Sequence, residues 1–480
     1  MGDKKSDAKG VSPHLIAHAA RFLSRAFCAL GMPLIVWMVR ADTWTDAAGY
    51  TWTYRINGKG AEINATISPK PTGAVTIPAT LGGKSVTDIG DFAFQGCSGL
   101  TSVTMPSSVT HIWNGAFHGC GGLTNVTISN GVTGIWEGAF HGCGKLTSVT
   151  IPNSVTDIEK GAFSDCGGLM SFVVAAGNPS YKSVLGLLLT KDGKVLVAGV
   201  NGDVRIPDGV KKIEDWAFCG CGGLTSVTIP NGVTSIGKWA FSDCGRLINV
   251  RIPNGVTDIR EGAFSDCSGL TRVTIPDSVM NIEGYAFCCC SELLEDMTTI
   301  PGVKLVDGWA LDHVDGLSGS IDLTGARGIG GLAFSRCSGL TRVTIPSSVK
   351  RIGDGAFWAC SGLTSVTIPS SVTHIGAVAF RYCSGLTSVT ISNGVKSIGD
   401  GAFWACSGLT NVTIPSSVTN IGERAFSDCG RLTTVHVVAG DTDRVKTLIC
   451  DSVDDISGIA FVEKSAGTKS AGTDPVEPLE

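Results

Sequence analysis

The 480-residue chain has few charged residues and no recognisable catalytic motif. Asp, Glu, Lys and Arg make up 16% of it, and the net charge of −5 is too small to indicate nucleic acid or an anionic membrane surface as a partner. A Gly-x-Ser-x-Gly elbow, a phosphate-binding glycine-rich loop with lysine and a His-Glu-x-x-His pair are all missing. Ser347 and Lys350 match a Ser-x-x-Lys nucleophile pattern, but Ser-Ser-Val recurs along the chain as ordinary filler. We therefore expect no enzyme, no cofactor and no small-molecule substrate.

The chain also lacks an apolar run long enough to cross a bilayer. The run from Ala26 to Val39 has about 14 residues, whereas a spanning helix needs roughly 20. Basic residues precede this run, and Val39-Arg40-Ala41 offers small or short side chains at the cleavage positions, which is the order of a secretory signal. We expect residues 1–41 to be a signal peptide and the protein to be secreted or at the cell surface. The alternatives are an uncleaved membrane anchor and a mis-called start codon.

Glycine, in contrast, is abundant, with 64 residues, and it belongs to a repeat. Aligned on Ala-Phe-x-x-Cys, the chain shows thirteen cysteines that recur every 23 residues within three blocks. A phenylalanine lies three residues before each cysteine, and a leucine lies three residues after nearly all of them. These ladder cysteines are Cys97, Cys120, Cys143, Cys166, Cys221, Cys244, Cys267, Cys290, Cys337, Cys360, Cys383, Cys406 and Cys429.

The repeat unit reads L-T-S-V-T-I-P-x-S-V-T-x-I-G-x-G-A-F-x-x-C-S-G. Its Val-Thr-Ile segment alternates apolar and polar residues, which is typical of a half-buried strand, and the proline ends that strand. The second Val-x-x-Ile forms another inward-facing segment, and Ala-Phe-x-x-Cys predicts a short helical or 3₁₀ turn. One coil cannot bury this apolar face alone, so the coils must stack. The sequence predicts a β-rich solenoid of about thirteen 23-residue coils with capped ends.

The chain has 18 cysteines, so a disulfide framework has to be weighed. Equivalent cysteines of stacked coils lie close together, but their Cβ vectors run parallel, whereas a disulfide needs vectors that face each other. Buried free thiols are the favoured interpretation, because cysteine is small, apolar and often buried. Metal binding by the ladder is less favoured, since no rung offers a second ligand at zinc-finger spacing. Cys219, Cys288, Cys289 and Cys450 lie outside the ladder, and their role stays open.

Two breaks and two ends interrupt the repeat. Two apolar runs flank Asp192-Gly193 within residues 178–205, which predicts a β-hairpin projecting from the solenoid edge. Residues 293–326 indicate a degenerate coil. At the front, strand-like residues around Asn57-Gly58 predict a hairpin cap. At the back, Asp441-Thr442-Asp443 predicts the N-cap of a helix whose apolar residues share one face.

These features divide the chain into nine segments. They are a signal peptide (1–41), an N-terminal β cap (42–73), repeat block 1 (74–170), a hairpin insert (171–207), repeat block 2 (208–292), a degenerate coil (293–326), repeat block 3 (327–438), a C-terminal cap (439–463) and a tail expected to be disordered (464–480).

The repeat unit closely resembles the BspA-like class of leucine-rich repeats, found in surface proteins of host-associated bacteria. The resemblance covers about residues 74–438, and it rests on Ile-Pro, Ser-Val-Thr and Ala-Phe-x-x-Cys recurring in register. The insert of residues 178–205 also looks like one that such proteins carry. The resemblance implies an extracellular solenoid of leucine-rich-repeat type whose usual role is adhesion to host proteins or other cells. It provides no catalytic residues to transfer.

Aromatic and arginine side chains at positions outside the core pattern are the candidate binding residues, because Trp, Tyr and Arg anchor many interfaces. An alternative of nearly equal weight is that the aromatics lie flat over the turns and shield the core. The candidates, grouped by neighbouring coils, are Trp113 and Trp136; Trp216 and Trp239; and Trp358, Arg381, Tyr382 and Trp404.

His118 and His141 occupy equivalent positions of adjacent coils, and His111 lies nearby in the sequence. A weak metal site is one interpretation of them. Two solvent-facing histidines in a duplicated repeat is the favoured one, because no carboxylate completes a ligand set. We therefore expect no metal.

The leading functional hypothesis is a binding or adhesion scaffold for an extracellular protein or glycan of host or bacterial surfaces. A solenoid presents a long, shallow surface that suits a large ligand. The alternative is a structural surface-layer or spacer protein with no specific ligand. Neither hypothesis involves nucleic acid, and contact with a membrane is expected only through the signal or anchor segment.

Overall fold

The computed structural model describes residues 41–65, 67–293, 299–450, 453 and 457–464. The expected signal peptide, apart from Ala41, and the expected disordered tail lie outside the described residues, except for Lys464, which ends a strand. Within the described part of the chain, no helix is long and apolar enough to cross a membrane.

From Ala41 onward the chain is a β-solenoid of about 17 coils with about 23 residues in each, which confirms the leucine-rich-repeat fold class. The number of coils exceeds the expected thirteen. Ala-Phe-x-x-Cys marks only thirteen of them, whereas the coils at the two breaks and at both ends are built without the motif. A count of motifs therefore misses coils that stack by their strands alone.

Strands of two to six residues make up the solenoid, and most coils contribute one longer and one two-residue strand. In chain order they are β1 (Asp42–Thr45), β2 (Thr51–Ile56), β3 (Ala61–Ile63), β4 (Gly73–Thr76), β5 (Thr80–Leu81), β6 (Lys84–Ile89), β7 (Leu100–Thr104), β8 (His111–Ile112), β9 (Asn125–Thr127), β10 (Gly134–Ile135), β11 (Ser148–Ile151), β12 (Asp157–Ile158), β13 (Ser171–Val174), β14 (Tyr181–Val184), β15 (Leu187–Thr190), β16 (Val195–Ala198), β17 (Gly202–Arg205), β18 (Lys212–Ile213), β19 (Leu224–Thr228), β20 (Ser235–Ile236), β21 (Asn249–Arg251), β22 (Asp258–Ile259), β23 (Arg272–Thr274), β24 (Asn281–Ile282), β25 (Val303–Val306), β26 (Trp309–His313), β27 (Ser318–Asp322), β28 (Gly328–Ile329), β29 (Gly339–Thr344), β30 (Arg351–Ile352), β31 (Ser365–Ile368), β32 (His374–Ile375), β33 (Ser388–Ile391), β34 (Ser397–Ile398), β35 (Asn411–Ile414), β36 (Asn420–Ile421), β37 (Thr434–Val438) and β38 (Ala460–Lys464).

Neighbouring coils pair in parallel and in the register of the repeat. Between β31 and β33, for example, Val366 lies opposite Val389 and Ile368 lies opposite Ile391. The longer strands line one side of the solenoid and the two-residue strands line another, as in the runs β27-β29-β31-β33-β35-β37 and β28-β30-β32-β34-β36. Since the side chains of a strand alternate between faces, this register stacks identical apolar residues on each other along the core.

The phenylalanines of the motif form a stack of rings inside each of the three repeat blocks. Phe380 is fully buried, with its ring centroid 5.1 Å from that of Phe357 and 5.2 Å from that of Phe403. The buried residues form two clusters, one from Trp52 to Trp309 and the other from Ile300 to Ile449. The apolar core is therefore divided near the second break.

The Ala-Phe-x-x-Cys segment consists of tight turns instead of a regular helix. The Cys120 N–H donates to the Phe117 carbonyl oxygen of the same coil at 3.1 Å, as in a 3₁₀ turn, whereas the Phe117 N–H donates to Ala139 of the next coil at 2.7 Å. Amides along this segment alternate between these two kinds of bond. The positions two residues before and two residues after the phenylalanine are left-handed, as at Gly115 (φ 57°) and Gly119 (φ 71°), which accounts for much of the glycine.

The ladder cysteines are buried free thiols, as the sequence predicts. The Sγ of most of them donates a hydrogen bond to the carbonyl oxygen of the phenylalanine in the preceding coil; from Cys383 to Phe357 the distance is 3.1 Å. Burial raises the pKa of Cys244, so its thiol stays protonated at neutral pH. Thiols of this kind are structural groups with low reactivity.

The first break contains the expected hairpin, because β15 and β16 pair in antiparallel fashion around Asp192-Gly193. The prediction that it projects from the solenoid edge is wrong. β16 pairs in parallel with β18 and takes the place of a two-residue strand, and Leu188 and Leu196 are fully buried. The second break is built in the same way: β25 and β26 form an antiparallel pair, and β26 continues in parallel to β28. It is therefore a second hairpin, where the sequence indicated only a degenerate coil.

Two buried asparagines join the first insert to the neighbouring coils. The Asn178 side chain donates to the carbonyl oxygens of Pro152 (2.7 Å) and Val155 (2.9 Å), and it accepts from the amides of Ser180 and Tyr181. The Asn201 side chain bonds residues of the coils on both sides in the same manner. These bonds satisfy backbone groups that the insert would otherwise leave unpaired in the interior.

Both ends carry elements that cover the last coils. At the front, β1, β2 and β3 form an antiparallel unit around the fully buried Trp52. At the back, the expected helix is present as α1 (Thr442–Ile449), with Val445 and Ile449 buried. Asp441 is the N-cap residue, as expected, but its side chain makes no capping hydrogen bond. Its carboxylate accepts hydrogen bonds from Arg444 instead, at 2.6 and 2.8 Å.

Candidate functional site

Aromatic and arginine side chains of the third block form a column along the solenoid. We call it the aromatic–arginine column. Its members are Arg336, Trp358, Arg381, Tyr382, Trp404 and Arg424. Trp358, Arg381 and Trp404 each follow the ladder phenylalanine of consecutive coils, so the stacking of the coils aligns them.

Arg381 lies within the column. Its guanidinium carbon is 3.9 Å from the centre of the Trp404 ring and 4.7 Å from that of Tyr382. Arg381 also donates a hydrogen bond from Nη2 to the Tyr382 hydroxyl at 3.0 Å. Arg381 occupies the position between Trp358 and Trp404 in the stack of coils. Cation–π contacts of this kind contribute about 0.5–1 kcal/mol each where they are exposed.

Two further arginines stand at the ends of the column, and an aspartate contacts it. The guanidinium of Arg336 lies 4.9 Å from the Trp358 ring, and that of Arg424 lies 5.9 Å from the Trp404 ring. Trp404 Nε1 donates to a carboxylate oxygen of Asp428 at 2.6 Å. These three residues were not among those predicted from the sequence. The two arginines lie within two residues of a ladder phenylalanine, in coils adjacent to those that carry Trp358 and Trp404. This proximity was the sequence signal that could have identified them.

The members of the column differ in exposure. Tyr382 is 43% exposed, whereas Trp358, Arg381 and Trp404 are only half-buried. Tyr382 also has a left-handed backbone, with φ of 62°. Glycine holds this position in four coils, as at Gly119, and aspartate, alanine, arginine or cysteine holds it in eight others. Tyr382 is the only aromatic residue at this position of the thirteen ladder coils, and a bulky side chain is costly in this conformation.

Trp113 and Trp136 form a separate pair in the first block, four residues before their ladder phenylalanines. Their rings are 4.9 Å apart and nearly parallel, and His111 stacks on Trp113 at 5.3 Å. Trp113 Nε1 also donates to Asp88 at 3.1 Å. Both side chains are half-buried.

Trp216 and Trp239 form a third group at the left-handed position before the ladder phenylalanine. Their rings stack at 5.8 Å, and both side chains are half-buried. The Trp239 ring covers Gly262 of the next coil so closely that a Cβ there would overlap it. This packing is the one expected for a lid over the core. The three aromatic groups thus occupy different positions of the coil, and the solenoid brings residues together only within each group.

His118 and His141 stack with their ring centroids 4.6 Å apart. Burial, followed by the neighbouring His141, lowers the pKa of His118. The Nδ1 of His141 is 2.8 Å from Ser164 Oγ and 3.2 Å from a carboxylate oxygen of Asp165. The expectation that no carboxylate lies near these histidines is therefore wrong. Asp165 itself lies in a cluster with Cys219 and Asp243, whose ligand atoms are all within 4.8 Å of one another.

A known repeat family and several solved structures match the chain. The model of the "BspA type Leucine rich repeat region" matches residues 75–182, 201–315 and 324–445, which is well over half of the chain. This family consists of repeat proteins and is not one of known enzymes. No curated protein matches the sequence.

The similar solved structures are bacterial leucine-rich proteins. A leucine-rich cell surface protein from Faecalibacterium prausnitzii is 28% identical, and the match covers 85% of this chain and 97% of that one with a TM-score of 0.36. A leucine-rich repeat protein from Bacteroides ovatus is 23% identical over 88% and 98% of the two chains, with a TM-score of 0.34. A third, from Eubacterium ventriosum, is 22% identical over 71% and 95%, with a TM-score of 0.43. The TM-scores of these superpositions are low, so family membership rests on the repeat model, which matches most of the sequence. The chain belongs to the BspA-type leucine-rich repeat family.

Proposed function

We propose that the protein is a secreted or cell-surface scaffold that binds an extracellular protein or glycan on its aromatic–arginine column. The observation that carries this proposal is Tyr382, an exposed aromatic residue held on a left-handed backbone beside a stacked arginine. Glycine would suit that backbone at lower cost. In this proposal, the cost of a tyrosine at this position is offset by its contact with a bound ligand.

The chemistry of the column suits a large ligand with ring faces or carbonyl groups. Tyr and Trp rings offer apolar faces with polar edges, and arginine adds up to five hydrogen-bond donors. Arg336 at one end of the column also lines a cleft of about 480 Å³, together with His313 and Leu317. A ligand seated on the column has room to extend into this cleft. Mixed aromatic and arginine surfaces of this type carry much of the affinity in protein interfaces.

Family membership supports the proposed location. The relative from Faecalibacterium prausnitzii is described as a cell surface protein. Exposure outside the cell also agrees with the secretory pattern of residues 1–41. The ladder thiols are compatible with an oxidising environment, because they are buried.

The test compares Tyr382→Gly with Tyr285→Gly in the full chain. Both tyrosines are exposed and left-handed, but Tyr285 lies outside the column. Binding is measured against extracellular matrix proteins and bacterial surface glycans. We expect Tyr382→Gly to weaken the ligand found in the unaltered protein by about 30-fold, which corresponds to roughly 2 kcal/mol. The Tyr285 variant should bind as the unaltered protein does. If Tyr382→Gly and Tyr285→Gly bind the ligand with equal affinity, the aromatic–arginine column is not the binding surface.

A triple substitution distinguishes a column that binds a ligand from one that only shields the core. Replacing Trp358, Tyr382 and Trp404 together with serine should leave the Phe, Cys, Leu, Val and Ile core intact and abolish most binding. If the triple variant instead loses thermal stability while it still binds, the column is a lid. The ligand would then have to contact the Ser/Thr/Arg face of the longer strands, for instance around Arg251 and Arg272, which are both exposed, or Arg342.

The alternative, a spacer with no specific ligand, is favoured by the threonine ladder that precedes the longer strands. Thr387 Oγ1 donates to the Thr364 carbonyl oxygen at 3.0 Å, and Thr410 Oγ1 donates to that of Thr387 at the same distance. These hydroxyls serve the stacking of the coils, so this side of the solenoid offers fewer free donors. A spacer would bind none of the matrix proteins or glycans tested, with or without the substitution of Tyr382.

A further inference from the structure

Three potential metal ligands from consecutive coils converge on one point beside the first break. Asp165 comes from the coil before the insert, Cys219 from the coil after it and Asp243 from the next one. The Sγ of Cys219 and a carboxylate oxygen of each aspartate all lie within 4.8 Å of one another. The coils across the break are in direct contact, because the Asp165 N–H donates to the Cys219 carbonyl oxygen at 2.8 Å.

Cys219 differs from the ladder cysteines. It directly follows Phe218, and its side chain is buried, with 4% exposed. Most ladder thiols donate to a phenylalanine carbonyl, as Cys383 does to Phe357 at 3.1 Å. The Cys219 sulfur lies instead within 4.8 Å of a carboxylate oxygen of Asp165 and of Asp243, which places it as a third ligand to a cation held by them.

Gly220 allows the two carboxylates to approach each other. It holds the position equivalent to Asp165 and Asp243 in the coil between them, and all three residues have left-handed backbones. A Cβ on Gly220 would overlap the Asp165 carboxylate. With glycine there, the two like-charged side chains lean towards the same space above Cys219. Asp165 also lies beside His141, and Asp243 accepts a hydrogen bond from Ser242 Oγ at 2.8 Å, so a cation between the two carboxylates would add to these contacts.

We propose that Asp165, Cys219 and Asp243 bind a divalent transition metal ion, with zinc as the best fit. Zinc accepts thiolate and carboxylate ligands in a tetrahedral arrangement, and a soft thiolate disfavours calcium and magnesium. With Zn–S of about 2.3 Å and Zn–O of about 2.0 Å, tetrahedral ligand atoms stand roughly 3.3–3.5 Å apart. The three atoms lie within 4.8 Å of one another, so they have to close by at most about 1.5 Å to bind zinc. Water takes the fourth position, and the Cys219 proton passes to solvent on binding.

His141 is a positioning residue for this site. Its Nδ1 lies 3.2 Å from Asp165 Oδ2, so it restricts the orientation of that carboxylate. Outer partners of this kind commonly hold metal ligands in place. The ion would link the coils on both sides of the insert, and any species that binds only the folded chain stabilises it. The site thus serves the continuity of the solenoid where its regular repeat is interrupted.

The test uses cobalt(II), which reports on zinc sites because a cobalt–thiolate bond absorbs light. The full-length protein, reduced and freed of metal with a chelator, is titrated with cobalt(II) and then with zinc. We expect one equivalent of cobalt to produce a charge-transfer band that zinc displaces. Cys219→Ser should abolish the band, and Asp165→Asn or Asp243→Asn should weaken cobalt binding at least ten-fold.

The chain offers tolerated replacements and matched controls. Ser164, Ser242 and Ser265 are buried at positions equivalent to Cys219, so serine fits there. Asparagine tolerates a left-handed backbone. Asp266→Asn and Cys288→Ala alter the same two positions in coils outside the cluster, and both should leave the band unchanged. A band that persists in Cys219→Ser, or that is lost equally in Cys288→Ala, would overturn the proposal. So would a protein that takes up no cobalt.

Discussion

Removing one ring of the phenylalanine stack should unfold one half of the solenoid and spare the other. Phe380 is fully buried between Phe357 and Phe403, and it belongs to the core cluster that runs from Ile300 to Ile449. Phe140 is its counterpart in the other cluster, where it is fully buried between Phe117 and Phe163. Phe380→Ala and Phe140→Ala are therefore a matched pair of equal chemistry in separate cores.

The cost of each substitution follows from what surrounds the ring. Replacing a buried phenylalanine with alanine costs about 3–5 kcal/mol, because transfer free energy is lost and a cavity remains. Each ring also has two stacked neighbours about 5 Å away, and an aromatic pair is worth roughly 0.5–1.5 kcal/mol beyond its buried area. The turn holding the ring is bonded to both adjacent coils, so it cannot collapse into the cavity. We expect a loss near the upper end of that range in both variants.

Hydrogen exchange measured by mass spectrometry during mild denaturation distinguishes the halves. In a solenoid each coil contacts only its neighbours, so destabilisation spreads until the coupling between coils is weak. Phe380→Ala should lower protection in residues 300–449 and leave residues 52–290 close to the unaltered protein. Phe140→Ala should do the reverse, and denaturation of either variant should separate into two transitions. If both variants lose protection over the whole chain in one transition, the two clusters form a single cooperative unit and the reasoning fails.

Three further predictions concern the thiols, the insert and a histidine. Under denaturing, non-reducing conditions the ladder cysteines should alkylate as free thiols, and cross-linked ladder pairs in mass spectrometry would contradict this. Asn178→Ala should lower the free energy of unfolding by at least about 2 kcal/mol in chemical denaturation, because it leaves buried carbonyl and amide groups unpaired; an unchanged midpoint would show that the insert does not depend on it. The pKa of His118 is lowered in the folded protein, so folding favours the neutral imidazole. This contribution to stability is complete above the ordinary pKa of 6.5 and is lost as the pH falls from 6.5 through the lowered pKa. The thermal midpoint should drop on acidification, and by less in His118→Gln, which copies Gln95 of the preceding coil; an identical drop in both proteins would assign the effect to other groups.

The coil could be predicted from sequence because thirteen copies vary around one pattern. Val366 opposite Val389 is a consequence of the 23-residue register, and burial of Phe380 and Cys383 follows from the same repetition. The two hairpins were harder. The Asp192-Gly193 turn was visible, but the role of β16 depends on its parallel pairing with β18, which no local signal encodes. Trp309 of β26 was hidden for the same reason, because its place in the core is set by the coil it joins.

The candidate sites were less predictable because they depend on contacts between coils at variable positions. The repeat spacing predicted that Trp358 and Trp404 are aligned. It did not predict that the guanidinium of Arg424, which comes from a different position of its coil, lies over the Trp404 ring. The cluster of Asp165 and Cys219 was concealed more fully. The insert separates them in sequence, and only the stacking of the coils across the break brings the two residues together.

Both proposals depend on one property of this coil. Because its amides alternate between neighbours, the backbone becomes left-handed two residues before and two residues after the ladder phenylalanine, and glycine is the least costly residue there. Tyr382, Asp165 and Asp243 occupy these positions at a cost of order 1–3 kcal/mol each. Replacing Tyr382 with glycine should therefore raise or preserve stability while it weakens binding. If that substitution destabilises the fold instead, the contacts of Tyr382 with its own coils outweigh the backbone cost, and the tyrosine needs no external partner to explain it.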